Sequence, residues 1–417
     1  MRRIALTVSI AAVLTATRIT LIGQAPQAAA RDYIVVFHDD EQEVDGLAAE
    51  HGRAYGASIS HLYHSALKGY AATISQARIG DIRRDPRVAF VSEDRPVHAV
   101  AQTLPTGIDR IDAETSSHFN SNSWTNIAVA VIDTGSGPHA DLNVVGGKNC
   151  SSGRSFSDGN GHGTHVAGTI GAINNGSGVV GVAPGIPIYA VRVLNNTGSG
   201  SWSSVACGVD WVTANAGRLN IKVANMSLGG AGVDDGNCGN SNNDALHKAI
   251  CTSVAAGVTY VVAAGNDNAD LAGFVPAAYD EVVAVTAIAD FNGQPGGRAT
   301  ATCRSDVDET PADFSNFTGI GSTDATHTIA APGVCILSTW KGGGYNTISG
   351  TSMASPHVAG TAALCIASGR CAAGPSGVIG TLRSDALAQP AGYGFSGDPN
   401  TPIGDRYYGY LVRAGGY

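Results

Sequence analysis

The sequence has few charged residues and no cluster of basic ones. Only 14% of the 417 residues are charged, the formal net charge is −9, and lysines and arginines never form a block. Nucleic-acid binding needs many basic groups against the phosphates, so the sequence gives that function no electrostatic support. An acidic balance mainly favours solubility. The length allows one large domain, or two domains, with a substantial core.

Long apolar runs are absent after the first 30 residues. Residues 1–30 combine a basic start, an apolar stretch from Ile4 to Leu14 and a small-residue end, Ala28-Ala29-Ala30. This pattern is typical of a secretory signal peptide. A short membrane anchor is the alternative, which Arg18 and the shortness of the apolar stretch disfavour. We therefore predict a secreted, extracellular protein that has no membrane attachment once the signal is removed.

The eight cysteines lack the spacing of a zinc cluster. None forms a Cys-x-x-Cys pair and none accompanies paired histidines, so a structural metal cluster is not indicated. Eight cysteines suit disulfides in an oxidising compartment, but they allow 105 connectivities. Short separations suggest Cys238 with Cys251 and Cys365 with Cys371, and less strongly Cys303 with Cys335, which leaves Cys150 and Cys207.

Residues 31–100 have the pattern of a small α+β unit. Strands are predicted at Tyr33 to Phe37 and Val88 to Val91, helices at Glu41 to His51 and Ile79 to Arg84, and one long or two short strands between Ile59 and Ile74. The order β-α-β-α-β fits a ferredoxin-like module.

Residues 101–417 alternate apolar strands with helical stretches, which predicts an α/β domain. Near-continuous apolar strands joined by helices indicate a mainly parallel sheet with helices on both faces. The predicted strands are 127–132, 188–193, 223–226, 259–263 and 282–286, and the predicted helices are 163–172, 203–216 and 243–256. The Gly/Pro/Tyr-rich tail from Gln389 onward is expected to pack on the surface.

The stretch Gly350 to Gly360 places a serine at the predicted start of a helix. It reads Gly-Thr-Ser-Met-Ala-Ser-Pro-His-Val-Ala-Gly, and small apolar residues follow. The unpaired N–H groups and the positive end of the helix dipole suit a serine nucleophile whose reaction puts negative charge on a substrate oxygen. A capping serine before a buried helix is the alternative for Ser352.

Asp133 ends a predicted strand in the sequence Asp133-Thr134-Gly135. Ligands bind at the carboxyl ends of parallel strands, so a functional carboxylate is expected there. A turn aspartate is one alternative. An aspartic protease is another, but it needs a second such carboxylate, and the sequence has no second Asp-Thr-Gly or Asp-Ser-Gly.

His162 lies in a glycine turn that opens a helix in the segment Asn160 to Gly168. A neutral imidazole there can take a proton from a hydroxyl and return it to a leaving group. His165 lies on a similar face, and a metal-binding pair is conceivable. Zinc proteases, however, space their histidines by four residues around a glutamate, so we assign His165 a structural role.

Asp133, His162 and Ser352 supply an orienting carboxylate, a base and a nucleophile in the chain order found in subtilisin. The segments "VIDTG", "HGTHVAG" and "GTSMASPHVAG" resemble the signature segments of secreted subtilisin-like serine proteases, the subtilases. The resemblance extends from about Ala101 almost to the end of the chain. It implies a subtilisin-like fold and hydrolysis of peptide bonds in polypeptide substrates through an acyl-enzyme.

The resemblance also implies an oxyanion-binding group and a substrate cleft. Asn266, after an apolar strand, would bind the oxyanion together with the N–H of the nucleophile; a turn asparagine is the alternative. An extended substrate would add to the cleft as a β-strand. The implied cleft residues are Gly198, Ser199, Gly200, Ser227, Leu228, Gly229, Ala264 and Gly265.

Two further features follow from the resemblance. Residues 31–100 would be an inhibitory propeptide, removed by self-cleavage before Ala101 to leave a peptidase domain at 101–417; an independent binding module is the alternative. The resemblance also implies a structural calcium site, and a set of oxygen ligands is what calcium prefers. A polar surface turn without an ion is the alternative, because it would have the same sequence. The calcium ligands would be Gln102, Asp141, Ile173, Asn175, Ser177 and Val179.

Two other functions compete with an active protease. A non-catalytic binding protein on the same scaffold should lack a triad member or Asn266, and none is missing. An esterase should carry Gly-x-Ser-x-Gly, whereas Ser352 lies in Gly-Thr-Ser-Met-Ala. We therefore expect a monomeric, active endopeptidase whose partners are polypeptide substrates and its own propeptide.

Overall fold

A computed structural model describes residues 30–95, 102–371 and 374–417. Residues 1–29 of the predicted signal peptide and the predicted cleavage junction at Val100 and Ala101 lie outside these ranges. No helix of the described part is both long enough and apolar enough to cross a membrane. Close contacts divide the chain into two units, one ending at Ala99 and the other beginning at Val100.

The first unit is a four-stranded antiparallel sheet with two helices. Its strands lie in the order β2-β3-β1-β4. For residues 59–74 the sequence predicted either one long strand or two short ones. The structure has two strands there, so the order is the β-α-β-β-α-β of a ferredoxin-like unit. The elements are β1 (Ala30–Phe37), α1 (Val44–Tyr55), β2 (Ser58–Tyr63), β3 (Gly69–Ser75), α2 (Gln76–Ile82) and β4 (Val88–Glu93).

The second unit contains helices and mainly parallel strands. The helices are α3 (Thr106–Arg110), α4 (His162–Gly171), α5 (Trp202–Asn215), α6 (Ala245–Ala255), α7 (Thr351–Ala367) and α8 (Pro375–Leu387). The strands are β5 (Ala128–Asp133), β6 (Val144–Asn149), β7 (Ile188–Arg192), β8 (Ile221–Met226), β9 (Gly230–Ala231), β10 (Thr259–Ala263), β11 (Phe274–Val275), β12 (Val283–Ala289), β13 (Thr310–Pro311), β14 (Thr318–Gly319), β15 (Thr328–Pro332), β16 (Ile336–Trp340), β17 (Gly344–Ile348) and β18 (Arg406–Tyr407).

The central sheet runs in the order β13-β12-β10-β8-β5-β7-β6, and β15 pairs with β12. All of these pairs are parallel except β12 with β13. Successive side chains of a strand point to opposite faces. On β5, Val129 and Val131 join the core cluster that contains α4 and α7, whereas Ala130 and Ile132 join the cluster that contains α5 and α6. Helices therefore cover both faces, which confirms the predicted fold class.

Two differences from the sequence expectation concern the edge strand β6 and the tail. The edge strand β6 was not predicted, because its sequence, Val-Val-Gly-Gly-Lys-Asn, has neither an apolar run nor a clear alternation. The tail was expected on the surface, but Leu411 and Val412 are 2% and 0% exposed. The N–H of Val412 donates to the carbonyl of Ala330 on β15, so the tail completes the core next to the sheet.

Four disulfides are formed, and no described cysteine is free. The pairs suggested by short separation are all present, and the two remaining cysteines pair with each other. The bridges are Cys150–Cys207, Cys238–Cys251, Cys303–Cys335 and Cys365–Cys371.

Candidate active site

Asp133 and His162 form a hydrogen-bonded pair at the carboxyl end of the central sheet. Asp133 is the last residue of β5 and is fully buried, and His162 is the first residue of α4. Nδ1 of His162 lies 2.8 Å from Oδ1 and 3.0 Å from Oδ2 of Asp133. Burial lowers the pKa of His162, but the negative charge of Asp133 and this hydrogen bond outweigh it and raise the pKa above its ordinary value. The carboxylate keeps a proton on Nδ1 and leaves Nε2 to act as the base.

Asp158, which the sequence analysis did not single out, organises the turn before His162. One carboxylate oxygen accepts hydrogen bonds from the N–H groups of Asn160 and Gly161, and the other accepts from the N–H and the hydroxyl of Thr164. Aspartate often binds backbone N–H groups a few residues further along in this way. The Asp-Gly-Asn-Gly composition was the available signal, but it does not indicate that the turn orients a base.

Ser352 is the second residue of α7 and is partly buried. Its N–H lies in the first helical turn, where backbone N–H groups have no acceptor within the helix. Its hydroxyl donates to the carbonyl of Ser227, 3.3 Å away, and its own carbonyl accepts from the hydroxyl of Ser227 at 2.8 Å. No hydrogen bond joins Ser352 to His162 in the described part of the chain. Catalytic hydrogen bonds are often loose before substrate binds.

Buried hydrogen bonds behind Ser352 tie β8 to α7. The hydroxyl of Ser355 donates to Oδ1 of Asn225 at 2.8 Å, and Nδ2 of Asn225 lies 3.0 Å from the hydroxyl of Ser227. Asn225 and Ser355 are both 0% exposed. The bond between Ser355 and Asn225 joins residues 130 positions apart, and for that reason it could not be found from short segments of the sequence.

Asn266 follows β10 and is held next to the start of α7. Its Oδ1 accepts from the N–H of Thr351 at 2.8 Å and from the hydroxyl of Thr351 at 3.0 Å. Because the oxygen is engaged, the amide nitrogen keeps its N–H groups for another partner. Gly265 has φ 104°, and a Cβ there would lie 2.3 Å from Nδ2 of Asn316. Glycine is therefore required in the turn that presents Asn266.

An open cavity of about 830 Å³ lies beside His162. The predicted cleft residues Gly198, Ser199, Gly200, Ser227, Leu228 and Gly229 all line it, whereas Ala264 and Gly265 are not among its lining residues. Trp202, at the start of α5, also lines the cavity and is 42% exposed. Trp202 was not among the predicted cleft residues. An exposed tryptophan in a cleft offers a large apolar surface to a substrate.

His165 lies apart from this chemistry. It is fully buried, and its Nε2 lies 2.9 Å from the carbonyl oxygen of Ile336. Burial lowers the pKa of His165 to about 3, so the ring is neutral in ordinary buffers. Its observed contacts are those of a packing residue.

The predicted calcium ligands gather in one place on the second unit. Nε2 of Gln102 lies 2.8 Å from the carbonyl oxygen of Ile173 and 3.0 Å from that of Val179. The amide of Asn175 lies 3.2 Å from Oδ1 of Asp141. Two carbonyls, one carboxylate and two amides therefore converge at the loop after α4.

Comparison with known proteins identifies both units. The subtilase family profile matches residues 125–390, and the peptidase inhibitor I9 profile matches residues 32–99. The chain is 39% identical over 303 residues to subtilisin NAT of Bacillus subtilis subsp. natto, which covers 71% of this chain and 70% of that protein. It is 40% identical over 292 residues to an alkaline protease of Shouchella clausii, covering 70% of this chain and 67% of the relative.

A solved structure agrees with these relatives. The crystal structure of a cold adapted subtilisin-like serine proteinase matches with a TM-score of 0.55 and 34% identity, covering 74% of this chain and 97% of the other. The chain therefore belongs to the subtilase family and is a subtilisin-like serine endopeptidase with an N-terminal inhibitor I9 propeptide domain.

Proposed function

We propose that the protein is a secreted endopeptidase that cleaves peptide bonds through an acyl-enzyme and uses Asp133, His162 and Ser352 as its catalytic triad. The observation that carries this proposal is the short contact between His162 and the buried Asp133 beside an open cavity. His162 thereby has one nitrogen fixed and the other free to accept a proton.

The first chemical step is attack of Ser352 on the substrate carbonyl. The hydroxyl turns from the carbonyl of Ser227 toward Nε2 of His162, which takes its proton as the C–O bond forms. The imidazolium, stabilised by Asp133, then gives this proton to the departing amine, and the peptide C–N bond breaks. Water repeats the sequence with His162 as base, which releases the second product and restores the hydroxyl.

The negative charge that develops on the substrate oxygen is bound by two donors. One is the amide of Asn266, whose oxygen is engaged by Thr351. The other is the N–H of Ser352 at the start of α7. In a subtilisin, loss of the corresponding asparagine costs about 10²–10³ in kcat, and we expect a loss of that order here.

The substrate lies extended between the two walls of the cavity. We assign Gly198, Ser199 and Gly200 to one wall and Ser227, Leu228 and Gly229 to the other, and all six residues line the cavity. Glycines let a peptide backbone approach closely and pair as an added strand. This arrangement favours flexible or unfolded polypeptides. We also assign Ala264 and Gly265 to the proposed substrate site because they directly precede Asn266 in the chain, although they are not among the residues that line the cavity.

We further infer a life cycle in three parts. Residues 1–30 direct secretion, residues 31–100 act as an intramolecular inhibitor, and residues 101–417 form the mature peptidase, released by self-cleavage between Val100 and Ala101. The inhibitor I9 match at 32–99 supports the second part. A monomer suffices for this chemistry, because one chain supplies every proposed catalytic group.

We also propose that calcium stabilises the mature unit at Gln102, Asp141, Ile173, Asn175, Ser177 and Val179. The donor chemistry fits, because a carboxylate, carbonyls and side-chain amides converge there. The oxygens of the two amides accept the N–H groups of Gly176 and Ser177, so both side chains would have to rotate out of these hydrogen bonds to give their oxygens to the ion. Such an ion would tie the start of the mature chain to the loop after α4.

Casein hydrolysis tests the proposed chemistry. The processed enzyme should lose its activity after treatment with phenylmethylsulfonyl fluoride and keep it after treatment with pepstatin, which inhibits aspartic proteases. Full activity after the serine reagent would overturn the proposal.

A further inference from the structure

A histidine of the second unit lies buried among three carboxylates. His247, in α6, is 0% exposed. Its Nδ1 lies 3.3 Å from Oδ1 of Asp234 and 3.3 Å from Oδ1 of Asp235. Among the described residues this nitrogen has no hydrogen-bond partner. A buried polar atom without a partner destabilises the folded state, so the position favours a bound ligand.

The rest of the ring is held in place. Nε2 of His247 lies 2.9 Å from Oε2 of Glu281, and Tyr279 stacks parallel to the ring with the centroids 4.0 Å apart. A carboxylate that keeps one ring nitrogen as N–H leaves a lone pair on the other, and metal-bound histidines typically have such a carboxylate. The lone pair on Nδ1 is thereby presented to Asp234 and Asp235.

The charge around His247 also favours a cation. Asp234, Asp235 and Glu281 surround one imidazole, and in the described part of the chain their only ion-pair partner is His247. A divalent cation would balance this excess of negative charge.

We propose that Asp234, Asp235 and His247 bind a zinc ion, with a water as the fourth ligand. The three ligand atoms lie within 4.8 Å of one another. Tetrahedral zinc with bonds of about 2.0 Å separates its ligand atoms by roughly 3.3 Å, which matches both distances from Nδ1. A nitrogen ligand favours zinc over calcium, which prefers an all-oxygen shell. The side chain of Asp234 is 18% exposed, which leaves a route for the ion and the water.

The loop that carries the carboxylates is held firmly. Asp235 accepts hydrogen bonds from the N–H groups of Gly239 and Ser241, and metal-ligating carboxylates are commonly hydrogen-bonded in turn. The disulfide Cys238–Cys251 fastens the same loop to α6. Little conformational entropy is therefore lost when the ion binds.

The position suggests a structural role for the ion. The loop continues from β9 (Gly230–Ala231), directly after the cleft wall at Gly229. Zinc would anchor this wall to α6 and would not take part in peptide hydrolysis. The inference is therefore independent of the proposed triad.

Isothermal titration calorimetry with ZnCl₂ tests the site. The processed enzyme is first treated with phenylmethylsulfonyl fluoride, to prevent self-digestion, and freed of metal with a chelator. The parent is compared with Asp234→Asn, which keeps an acceptor for the N–H of Gly236, and with Asp210→Asn as the control. Asp210 is exposed on α5 and is not one of the grouped side chains around His247.

We expect one zinc ion per chain in the parent and in Asp210→Asn, and at least tenfold weaker binding in Asp234→Asn. Cobalt bound in place of zinc should show the visible absorption of a tetrahedral ion, and Asp234→Asn should lose it. Absence of saturable zinc binding to the parent, or equal affinity in the parent and Asp234→Asn, overturns the proposal. Calcium binding that Asp234→Asn abolishes, without zinc binding, would also overturn it.

Discussion

At the scale of single residues, the protonation state of His162 controls the proposed chemistry. The base must be neutral to accept a proton from Ser352, so activity falls as the pH falls through the pKa of His162. Asp133 raises that pKa above the ordinary value of 6.5. Asp133 therefore limits activity at low pH while it stabilises the imidazolium that forms during the reaction.

The pH profile of kcat/KM tests this role of Asp133. We expect the acid limb of the parent to have its midpoint above 6.5, the ordinary value for histidine. Asp133→Asn should lower the rate by about 10⁴-fold, because the wrong nitrogen is protonated, and should move the midpoint to lower pH. The exposed Asp210→Asn serves as the control, with an unchanged midpoint. A midpoint that stays in place in Asp133→Asn would contradict the assignment.

We expect Asp158 to affect the reaction by holding the turn that positions His162. Asp158→Ala leaves the N–H groups of Asn160, Gly161 and Thr164 without their acceptor, so His162 loses its position. We expect kcat to fall by about 10²-fold, with a much smaller change in KM. Asp158→Asn keeps one oxygen acceptor and should restore part of kcat. Steady-state kinetics on a peptide substrate measures this, and equal kcat in Asp158→Ala and the parent would disprove the positioning role.

The sequence was most informative about residues whose role is encoded locally. Asp133 ends an apolar strand, and His162 and Ser352 each lie where a glycine turn meets a helix. Each of these patterns can be read in one short segment. Asn225 and Ser355 escaped notice because their role depends on a hydrogen bond between residues 130 positions apart. Trp202 directly precedes the predicted helix 203–216, and nothing in that short segment indicates that it lines the cavity.

At the scale of elements, the proposed site lies at the carboxyl ends of neighbouring strands. Asp133 ends β5, Ser227 follows β8 and Asn266 follows β10, and these three strands are neighbours in the parallel sheet. Parallel strands bring their carboxyl ends to one edge, which is where α/β sheets bind ligands. The apolar strands made this arrangement predictable. The edge strand β6 was not predictable, because half-exposed strands lose the apolar pattern.

The loop after α4 carries several of the proposed calcium ligands, so calcium should stabilise the folded enzyme. Added CaCl₂ should raise the melting temperature of the inhibitor-treated, metal-free enzyme, because an ion present at 100 times its Kd stabilises the folded state by about 2.7 kcal/mol. Asp141→Asn should abolish most of this rise. Asp234→Asn, in the proposed zinc site, should keep it and serves as the matched control. Equal calcium responses in the parent and Asp141→Asn would contradict the proposed ligand set.

At the scale of the whole molecule, the chain combines an inhibitor I9 propeptide with its own peptidase. If the peptidase performs the first cut itself, removal of the nucleophile must stop processing. We expect Ser352→Ala to accumulate as a chain that still contains residues 31–100, whereas Ser384→Ala, an exposed serine on α8, should be processed like the parent. N-terminal sequencing distinguishes the products. A Ser352→Ala product that begins at Ala101 in a protease-deficient host would rule out self-cleavage.

The measurement that tests the central claim most directly is mass spectrometry of the processed enzyme after reaction with a fluorophosphonate. We predict a single adduct per chain, located on Ser352 by peptide mapping, formed in step with the loss of activity. His162→Ala should slow its formation strongly, because the hydroxyl then lacks its base. An adduct on another residue, or full activity in a fully labelled enzyme, would contradict the claim that Ser352 is the nucleophile activated by His162.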